Sequence, residues 1–469
     1  MDNHGFMIAA ASSGSGKTVL SCALMSAFAQ SGKRVAACKC GPDYIDPMFH
    51  REVLGIPSEN LDLYFCNENT LKMLFTEHTH KADVTVVEGV MGYYDGMSLN
   101  SERASSYDVA RTLDLPVILI VPCKGMALSV MPLILGMIEF RKDSNIRGIL
   151  LNRVSGMLYP KMKEMIEGEL KSRGYQIPVA GYIPEDEVFG LESRHLGLVT
   201  PQEVEGIRER LKQAGKILMD TVDLDLLLEI GKREDQKAAS QHNKGAVSKC
   251  NKRMGAASAR IGIARDEAFC FYYKDNLELL KKLGCELTEF SPLHDASLPE
   301  GIQGLILGGG YPELYTQTLS SNESMRREIQ KAVRSGIPCL AECGGFMYLH
   351  EEMEGTDGIS RPMAGVISGK AIRTKRLVRF GYLELKAQKD GVYLKPGEAL
   401  RGHEFHYWDS TSNGADCLAV KPDGRRSWEC VHMEGNLFAG YPHIHFYSNP
   451  VFAERFVKYC RAYRHTDME

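Results

Sequence analysis

The sequence is most informative at first for three features it lacks. No segment of its 469 residues approaches the roughly 20 uninterrupted apolar residues that a membrane-spanning helix needs. Net charge at pH 7 is only −4, so no general affinity for a polyanion such as nucleic acid is expected. The chain also runs straight into an apolar strand, without the basic region and cleavage site of a secretory signal. These absences predict a cytoplasmic protein with neither a membrane nor a nucleic-acid partner.

The cysteines form no recognisable framework. There are 13 of them, and no pair has the C-x-x-C spacing of a zinc ribbon or of a thioredoxin-type redox site. An odd number of scattered cysteines is typical of a reducing compartment, where most act as small buried hydrophobes.

A phosphate-binding loop is predicted near the N-terminus. The stretch FMIAAASSGSGKT, Phe6 to Thr18, reads as a buried strand that breaks into a glycine-rich turn and then opens a helix. Gly14 and Gly16 permit backbone angles that aim several N–H groups at one anion, and the helix adds its positive dipole end. In such loops the lysine, here Lys17, reaches the β- and γ-phosphates of a nucleotide, and the hydroxyl of Thr18 binds Mg²⁺.

The loop is a variant of the usual pattern. G-x(4)-G-K-[ST] requires glycine at position 11, where this chain has Ala11. A glycine-rich strand-to-helix turn is sometimes only a tight turn. The apolar run and the Lys-Thr pair that flank this one favour phosphate binding.

Strands and helices alternate after the loop, which predicts a mostly parallel, doubly wound sheet. In such a sheet, ligands bind at the carboxyl ends of the strands. The predicted helix is Thr18 to Gln30, and the further predicted strands are Arg34 to Cys38, Val84 to Val87, Val117 to Val121, Gly148 to Leu151 and Val179 to Ile183.

Four carboxylates follow two of these strands. Asp43 and Asp46 lie in KCGPDYIDP, and Glu88 and Asp95 lie in EGVMGYYDG. Their convergence on the phosphate loop predicts Mg²⁺ coordination by Asp43 and Glu88, together with Thr18, and a reaction on a phosphorylated carboxylate. The alternative is that some of these acids cap helices or face solvent. Asn152, after another strand, is a weaker candidate for the adenine pocket.

The composition changes near Gly231. Residues 231–258 are polar, charged and without apolar periodicity, as expected of an exposed linker. We therefore predict a first domain over 1–230 and a second over 259–469. The second again alternates predicted strands (261–264, 304–307, 337–341) with a helix (276–284), which indicates another α/β domain.

The second domain contains a candidate nucleophile. Cys343 follows a strand and precedes two glycines, and such a strand-to-helix elbow exposes sulfur while the helix N-terminus lowers the thiol pKa. Either His443 or His445, in GYPHIHF, is a candidate base. The candidate oxyanion donors are the N–H groups of Gly309, Gly310 and Gly344.

Together these motifs resemble those of the cobyrinic acid a,c-diamide synthases, which are glutamine-dependent amidoligases of corrinoid biosynthesis. The resemblance runs nearly end to end and implies a dethiobiotin-synthetase-like ATP domain followed by a class I (triad) glutamine amidotransferase domain. The motifs that carry it are SSGSGKT (12–18), GPDYIDP (41–47), EGVMGYYDG (88–96), RHLGLV (194–199), LGGGYPE (307–313), ECGGFMYL (342–349), GHEFHYW (402–408) and the late HIHF.

The resemblance implies a reaction and a role for each candidate residue. ATP would phosphorylate the a and c carboxylates of cobyrinic acid in turn, and ammonia released from L-glutamine would attack each acyl phosphate. Cys343 would form the glutamyl thioester, with His443 as its base and His445 orienting it. Tyr44 and Ile45 would touch the corrin or simply pack in the core. ATP, Mg²⁺ and the phosphorylated intermediate would be served by Lys17, Thr18, Asp43, Asp46, Glu88 and Asp95.

Two departures and several rivals accompany the resemblance. Many such glutaminases have glycine where this chain has Ala341, which puts the oxyanion geometry in question. Related partitioning ATPases carry a second lysine where this chain has Ser12, and this argues against a nucleotide-switched scaffold. GPDYIDP disfavours cobyric acid synthase. Hydrogenobyrinic acid and nickel-sirohydrochlorin remain alternative substrates, and a homodimer remains possible.

Overall fold

A computed structural model describes residues 4–190, 201–233 and 258–464. The chain divides into two compact units, residues 1–243 and 244–469. Most of the predicted linker (231–258) and the whole RHLGLV motif (194–199) lie outside the described residues. Among the helices that are described, none is long and apolar enough to cross a membrane.

The first unit alternates strands with helices. Its strands are β1 (His4–Ala10), β2 (Val35–Cys40), β3 (Ser58–Leu61), β4 (Val84–Glu88), β5 (Val117–Pro122), β6 (Ile146–Asn152) and β7 (Val179–Ile183). Its helices are α1 (Lys17–Gln30), α2 (Ile45–Glu52), α3 (Glu68–Thr79), α4 (Ser106–Leu113), α5 (Val130–Glu139), α6 (Tyr159–Ser172), α7 (Pro201–Thr221) and α8 (Leu224–Ile230).

These described strands form one parallel sheet in the order β3-β2-β4-β1-β5-β6-β7. The strands are buried on both faces, as their nearly continuous apolar sequences predict. The chain builds one side of β1 first and then crosses to the other, which is the doubly wound arrangement that the sequence predicted. β1 and β4 are neighbours, so the segments that follow them meet at the carboxyl edge of the sheet.

Helix α1 begins directly at the phosphate loop. Gly16 has φ +86° at its N-cap and Gly14 has φ +74°, both in the left-handed region that glycine adopts without strain. Most side chains of this helix are small or apolar and are buried, including those of Ala23, Ala27 and Phe28. The loop is therefore held by a helix that is fixed in the core of the unit.

The second unit has more strands than the sequence predicted. Its strands are β8 (Ala259–Ala264), β9 (Cys285–Phe290), β10 (Gly304–Leu307), β11 (Cys339–Glu342), β12 (His350–Glu354), β13 (Ser360–Pro362), β14 (Ile367–Arg373), β15 (Arg379–Ala387), β16 (Ala399–His406), β17 (Trp408–Ser410), β18 (Cys417–Val420), β19 (Ser427–Cys430), β20 (Leu437–Gly440) and β21 (His443–Ile444). Its helices are α9 (Lys274–Lys282), α10 (Thr316–Ser321), α11 (Glu323–Arg334), α12 (Gly344–Tyr348) and α13 (Pro450–Ala462).

A parallel sheet in the order β20-β11-β10-β8-β9 contains the strands that the sequence predicted. Two further sheets, β13-β12-β14-β17 and the antiparallel β19-β18-β15-β16-β21, come from the region after residue 349, where no strand was predicted. Strand β21 carries His443 and pairs with β16, with His403 opposite His443. The antiparallel sheet thus positions the candidate base.

Candidate active sites

Lys17 joins the phosphate loop to the segment after β4. Its Nζ atom donates to the carbonyl oxygens of Ser12, at 2.9 Å, and Met91, at 2.5 Å. Burial, and then the nearby charge of Lys39, lower the pKa of Lys17 to about 8. A partly desolvated ammonium that only carbonyl dipoles hold is ready to exchange these partners for phosphate oxygens.

A buried cluster of charged groups lies beneath the loop. Lys39 Nζ is 2.6 Å from Glu88 Oε1 and 2.5 Å from Asp46 Oδ2. Thr18 Oγ1 donates to the same Glu88 oxygen at 2.5 Å, and His50 Nε2 lies 3.5 Å from the other. The parallel register places Lys39 directly beside Glu88, which explains why the two side chains meet.

The two carboxyl groups that contact Lys39 differ in how readily they ionise. Burial opposes the ionisation of Glu88, but the Lys39 ammonium outweighs it and holds the pKa of Glu88 well below its ordinary value. Burial, and then the Glu88 charge, raise the pKa of Asp46 to about 8. Glu88 is therefore the fixed anion of the cluster, while Asp46 can gain or lose a proton near neutral pH.

Sequence reasoning missed Lys39. The available signal was a charged residue inside an otherwise apolar strand, in the sequence CKC that directly precedes GPDYIDP. A lysine in a strand that is buried on both faces of its sheet requires a carboxylate partner, because an unpaired buried charge is costly. Its two partners, Asp46 and Glu88, were already among the predicted site residues.

Asp43 and Asp95 have local partners. One oxygen of Asp43 accepts the N–H groups of Ile45 and Asp46 at 2.8 and 3.1 Å, at the start of α2. Asp95 Oδ2 accepts the Gly92 N–H at 2.9 Å. The Asp43 contacts lie at the start of a helix, as the capping alternative predicts, whereas Asp95 closes a turn in the loop after β4, and each residue uses a single carboxylate oxygen in these bonds.

Asn152 contacts the phosphate loop itself. Its amide Nδ2 donates to the Ser15 carbonyl at 3.0 Å, and a methyl group at Gly16 would lie 3.2 Å from the same nitrogen.

The predicted corrin contacts differ in exposure. Tyr44 is buried at the start of α2, and Ile45 is half-buried.

The oxygen donors near the loop suit Mg²⁺ better than a soft metal. The hydroxyl of Thr18 and the carboxylate of Glu88 are hard ligands, and Mg²⁺ usually binds through one or two carboxylates plus substrate phosphates. Within the described ranges, no three His, Cys, Asp or Glu side chains are grouped as a metal site of their own. The residues therefore fit an ion that arrives with a nucleotide.

The second candidate site is centred on Cys343, between β11 and α12. Its backbone has φ +47° and ψ −102°, an unfavourable conformation for a residue with a side chain. The Cys343 N–H donates to Gly440 O and the Gly345 N–H donates to Gly308 O, both at 2.9 Å, which hold the turn between neighbouring strands. This is the strained elbow that the sequence predicted.

The glycine turns meet beside this elbow. A methyl group at Gly344 would lie 2.9 Å from Pro312 Cδ and 3.1 Å from the Gly310 nitrogen, so a larger residue would have to displace one of these neighbours. Ala341 lies in β11, paired with Leu307 and Ala439, and is not among the described residues of positive φ. The strain of the turn falls on Cys343 itself, and alanine fits at position 341.

The expected lowering of the thiol pKa is wrong for the structure as it stands. Burial raises the pKa of Cys343 well above its ordinary value, and the carboxylates of Glu313 and Glu404 raise it further. The Gly344 N–H lowers it by less. A helix of one turn cannot offset complete burial, so the thiol must lose its proton to a base.

His443 is enclosed by three groups. Its ring stacks on His403, with centroids 5.0 Å apart and an interplanar angle of 21°. Its Nδ1 atom lies 3.6 Å from Glu342 Oε2. A methyl group at Gly309 would overlap the ring at Cε1, so this glycine makes room for the imidazole.

His445 and the GHEFHYW residues surround this histidine. His445 packs edge-on against Tyr273, with centroids 5.0 Å apart, and Tyr273 Oη lies 2.9 Å from His403 Nδ1. Burial lowers the pKa of His403 well below its ordinary value, so this ring is neutral at pH 7. His406 stacks flat on Tyr441 at 3.8 Å. These buried aromatic contacts hold the strand that carries His443.

The predicted burial of most cysteines is confirmed among the described residues, where twelve cysteines are free and all but the half-buried Cys270 are buried.

Two known families match separate parts of the chain. Residues 6–199 match the CobQ/CobB/MinD/ParA nucleotide binding domain, and residues 260–451 match the CobB/CobQ-like glutamine amidotransferase domain. The fold and the two sites therefore define a nucleotide-binding, glutamine amidotransferase-type ligase.

Relatives of known name cover nearly the whole chain. The cobyrinate a,c-diamide synthase of Caldanaerobacter subterraneus subsp. tengcongensis is 40% identical over 98% of this chain and 98% of its own, and that of Listeria innocua is 37% identical over 95% and 96%. The MinD cell division protein of Aquifex aeolicus matches 46% of this chain and 96% of its own, at 16% identity and a TM-score of 0.29. The chain belongs to the cobyrinate a,c-diamide synthase family.

Proposed function

We propose that this protein converts cobyrinic acid to its a,c-diamide, with ATP as the activating agent and L-glutamine as the source of nitrogen. The observation that carries the proposal is the similarity over 98% of the chain to a relative named cobyrinate a,c-diamide synthase. The two chemically different sites support it. A carboxylate is a poor electrophile that must be activated, and glutamine is a neutral store of ammonia that a thiol can open.

In the first unit, Lys17 and the N–H groups of the glycine loop bind the β- and γ-phosphates of ATP. Thr18 and Glu88, with the second oxygen of Asp43, would hold Mg²⁺, which would supply positive charge to the transferring phosphoryl group. A substrate carboxylate takes the γ-phosphoryl group, which gives an acyl phosphate and ADP. Asp46 and Asp95 lie in the two segments that flank this position.

In the second unit, His443 takes the proton of Cys343, and the thiolate attacks the side-chain amide carbon of glutamine. The N–H groups of Gly344 and Gly310 receive the negative charge of the tetrahedral intermediate, and Gly309 serves by leaving room for the imidazole. The C–N bond breaks as the histidine returns the proton to the leaving nitrogen. Ammonia then attacks the carbonyl carbon of the acyl phosphate, inorganic phosphate leaves and the amide remains, while water hydrolyses the thioester to glutamate and the free Cys343 thiol.

The proposal is tested by mass spectrometry of cobyrinic acid incubated with the protein, ATP, Mg²⁺ and amide-¹⁵N glutamine. Two successive amidations that carry the label, with ADP formed alongside, are expected. Parallel incubations contain hydrogenobyrinic acid and nickel-sirohydrochlorin, which differ in the ring. Amidation of one of these alone would correct the substrate. Turnover of ATP without glutamine or any of the three acids would instead favour a nucleotide-switched scaffold.

Binding of ATP with Mg²⁺, the cytoplasmic location and a homodimer stay predictions, as do the contacts of Tyr44 and Ile45 with the corrin. Calorimetric titration with ATP, with and without Mg²⁺, measures the first of these directly.

A further inference from the structure

Glu342 has two contacts with the strand that carries the candidate base. It is the last residue of β11 and directly precedes Cys343. Its Oε2 atom lies 3.6 Å from Nδ1 of His443, and its Oε1 atom accepts the Ile444 N–H at 3.3 Å. The Glu342 carboxylate therefore contacts both the imidazole of His443 and the backbone N–H of Ile444.

The surroundings fix this pair. The side chain of His443 is 3% exposed and that of Glu342 is 14% exposed, so the ion pair is largely screened from water. The imidazole stacks on the His403 ring, and its Cε1 edge faces Gly309. Nδ1 faces Glu342, so we assign the thiol proton to the other ring nitrogen, Nε2.

We propose that Glu342 is the positioning carboxylate of the glutaminase site, which holds His443 in the tautomer with its proton on Nδ1 and stabilises the imidazolium that forms. This inference rests on glutamine hydrolysis at Cys343. When Nε2 takes the thiol proton, the ring becomes cationic, and the Nδ1–H to Oε2 pair gains full charge complementarity. The proton passes from Nε2 to the leaving nitrogen, and Glu342 stays ionised throughout.

The separation of 3.6 Å is an ion-pair distance, longer than a hydrogen bond. Catalytic hydrogen bonds are often long without substrate and shorten in the reacting complex. Glu342 departs from the sequence prediction, which assigned the orienting role to His445. A carboxylate at Nδ1 stabilises an imidazolium, whereas a second imidazole that gained a proton would repel it.

The test is Glu342→Gln in the full chain, assayed for glutamate release from glutamine with ATP, Mg²⁺ and cobyrinic acid present. The amide keeps the size of the side chain and an oxygen for the Ile444 N–H, but removes the charge. We expect kcat to fall about 100-fold or more, with KM for glutamine changed less than about threefold. Amidation driven by ammonium chloride should keep the parent rate.

Chemical rescue distinguishes a positioning role of the Glu342 carboxylate from a packing role of its side chain. Glu342→Ala should regain at least about tenfold of its lost glutaminase rate in the presence of formate, which supplies a small carboxylate to the gap. Glu300→Gln, an exposed change in the same unit, is the matched control and should behave as the parent.

Three results would overturn the proposal: a kcat for Glu342→Gln within threefold of the parent, an equal loss of ammonia-driven activity, or a loss on His445→Ala that Glu342→Gln does not share. The parent and Cys343→Ala separate this inference from the proposed function. If the parent releases no glutamate, the proposed function fails. If the parent is active and Cys343→Ala is inactive, only the role of Glu342 is in question.

Discussion

Lys39 is the only lysine in the first unit's β2 strand, and its charge is almost entirely shielded from water. It faces two carboxylates, Glu88 and Asp46, at ion-pair distance. Removing one partner from a buried ion pair leaves an uncompensated charge in a medium of low dielectric constant, which destabilises a protein far more than the pair stabilises it. Lys39 thus keeps the Glu88 carboxylate, beside Thr18, ionised.

Lys39→Met should destabilise the protein. Loss of the cation from this buried cluster is expected to lower the free energy of unfolding by about 3–5 kcal/mol, which corresponds to a fall in the thermal midpoint of ~6 °C or more. Differential scanning calorimetry of the full chain measures it. Lys81→Met, at an exposed position, is the control and should shift the midpoint by less than about 2 °C. An unchanged midpoint in Lys39→Met would contradict the role given to the cluster.

Glu313 should control the reactivity of Cys343 through its charge. Burial raises the pKa of Glu313 to about 7, and its ionised form raises the pKa of the thiol. Glu313→Gln removes that charge, so we expect Cys343 to react with iodoacetamide about threefold faster or more at pH 8. Below pH 6 the parent Glu313 is protonated and neutral, so the difference should vanish.

The measurement is the rate of carbamidomethylation of the peptide that contains Cys343, followed by mass spectrometry from pH 5.5 to pH 9. Glu300→Gln again serves as the control. A rate difference that is the same at every pH would mean that the substitution acts through packing and not through charge.

At the scale of elements, both sites are built where parallel strands end. Strand β1 leads into the phosphate loop and β4 ends at Glu88, while β11 ends at Glu342 and β10 leads into the glycine turn at 308–310. Parallel neighbours place these ends at one edge, so residues far apart in sequence become adjacent. In the second unit, the return of β21 along β16 brings the histidine to the same elbow.

Gly309→Ala should displace the imidazole of His443. The added methyl group would overlap the ring at Cε1, and the ring would have to shift against the stacked His403. A displacement of about 1 Å at a catalytic group costs on the order of 100-fold in rate, so we expect a loss of that size in glutamine hydrolysis and none in ammonia-driven amidation. Steady-state assays with each nitrogen source measure both.

Gly168→Ala, in α6, is the matched control. Apart from the backbone of its own helix and its chain neighbours, no described atom lies within 4 Å of the added methyl group there, and alanine favours a helix over glycine by about 0.5–1 kcal/mol. A glutaminase rate in Gly309→Ala equal to that of this control would mean that His443 does not act where the structure holds it.

At the scale of the whole molecule, each unit has its own core and its own chemistry. The nitrogen source and the activated carboxylate are therefore separable by substitution. The proposed reaction needs the second unit only to release ammonia, but it needs the first unit whichever nitrogen source is supplied.

Cys343→Ala should abolish amidation with glutamine and leave amidation with ammonium chloride, because ammonia release alone uses the thiol. Lys17→Ala should abolish both, since it removes the cation that binds the phosphates. The ammonia-driven rate in Cys343→Ala should rise with pH, as only unprotonated NH₃ is a nucleophile. Amide formation followed by mass spectrometry measures each rate. A folded Cys343→Ala that lost both activities would contradict the separation of the two sites.

The sequence alone determined the features that short segments encode. Gly14 and Gly16 need positive φ, and a strand, a sharp turn and a helix follow one another around both Lys17 and Cys343, so each loop is legible within about a dozen residues. The parallel sheets also follow from the alternation of apolar runs with helices. The strands after residue 349 escaped notice because their half-exposed faces carry a weaker pattern.

Only the tertiary structure decided which charges meet. The pairing of Lys39 with Glu88, and of Glu342 with His443, depends on strand order and register, which no local pattern specifies. The ionisation of Cys343 was predicted in the wrong direction for the same reason. A pKa responds to burial and to neighbouring charges, and both exist only once distant segments have packed together.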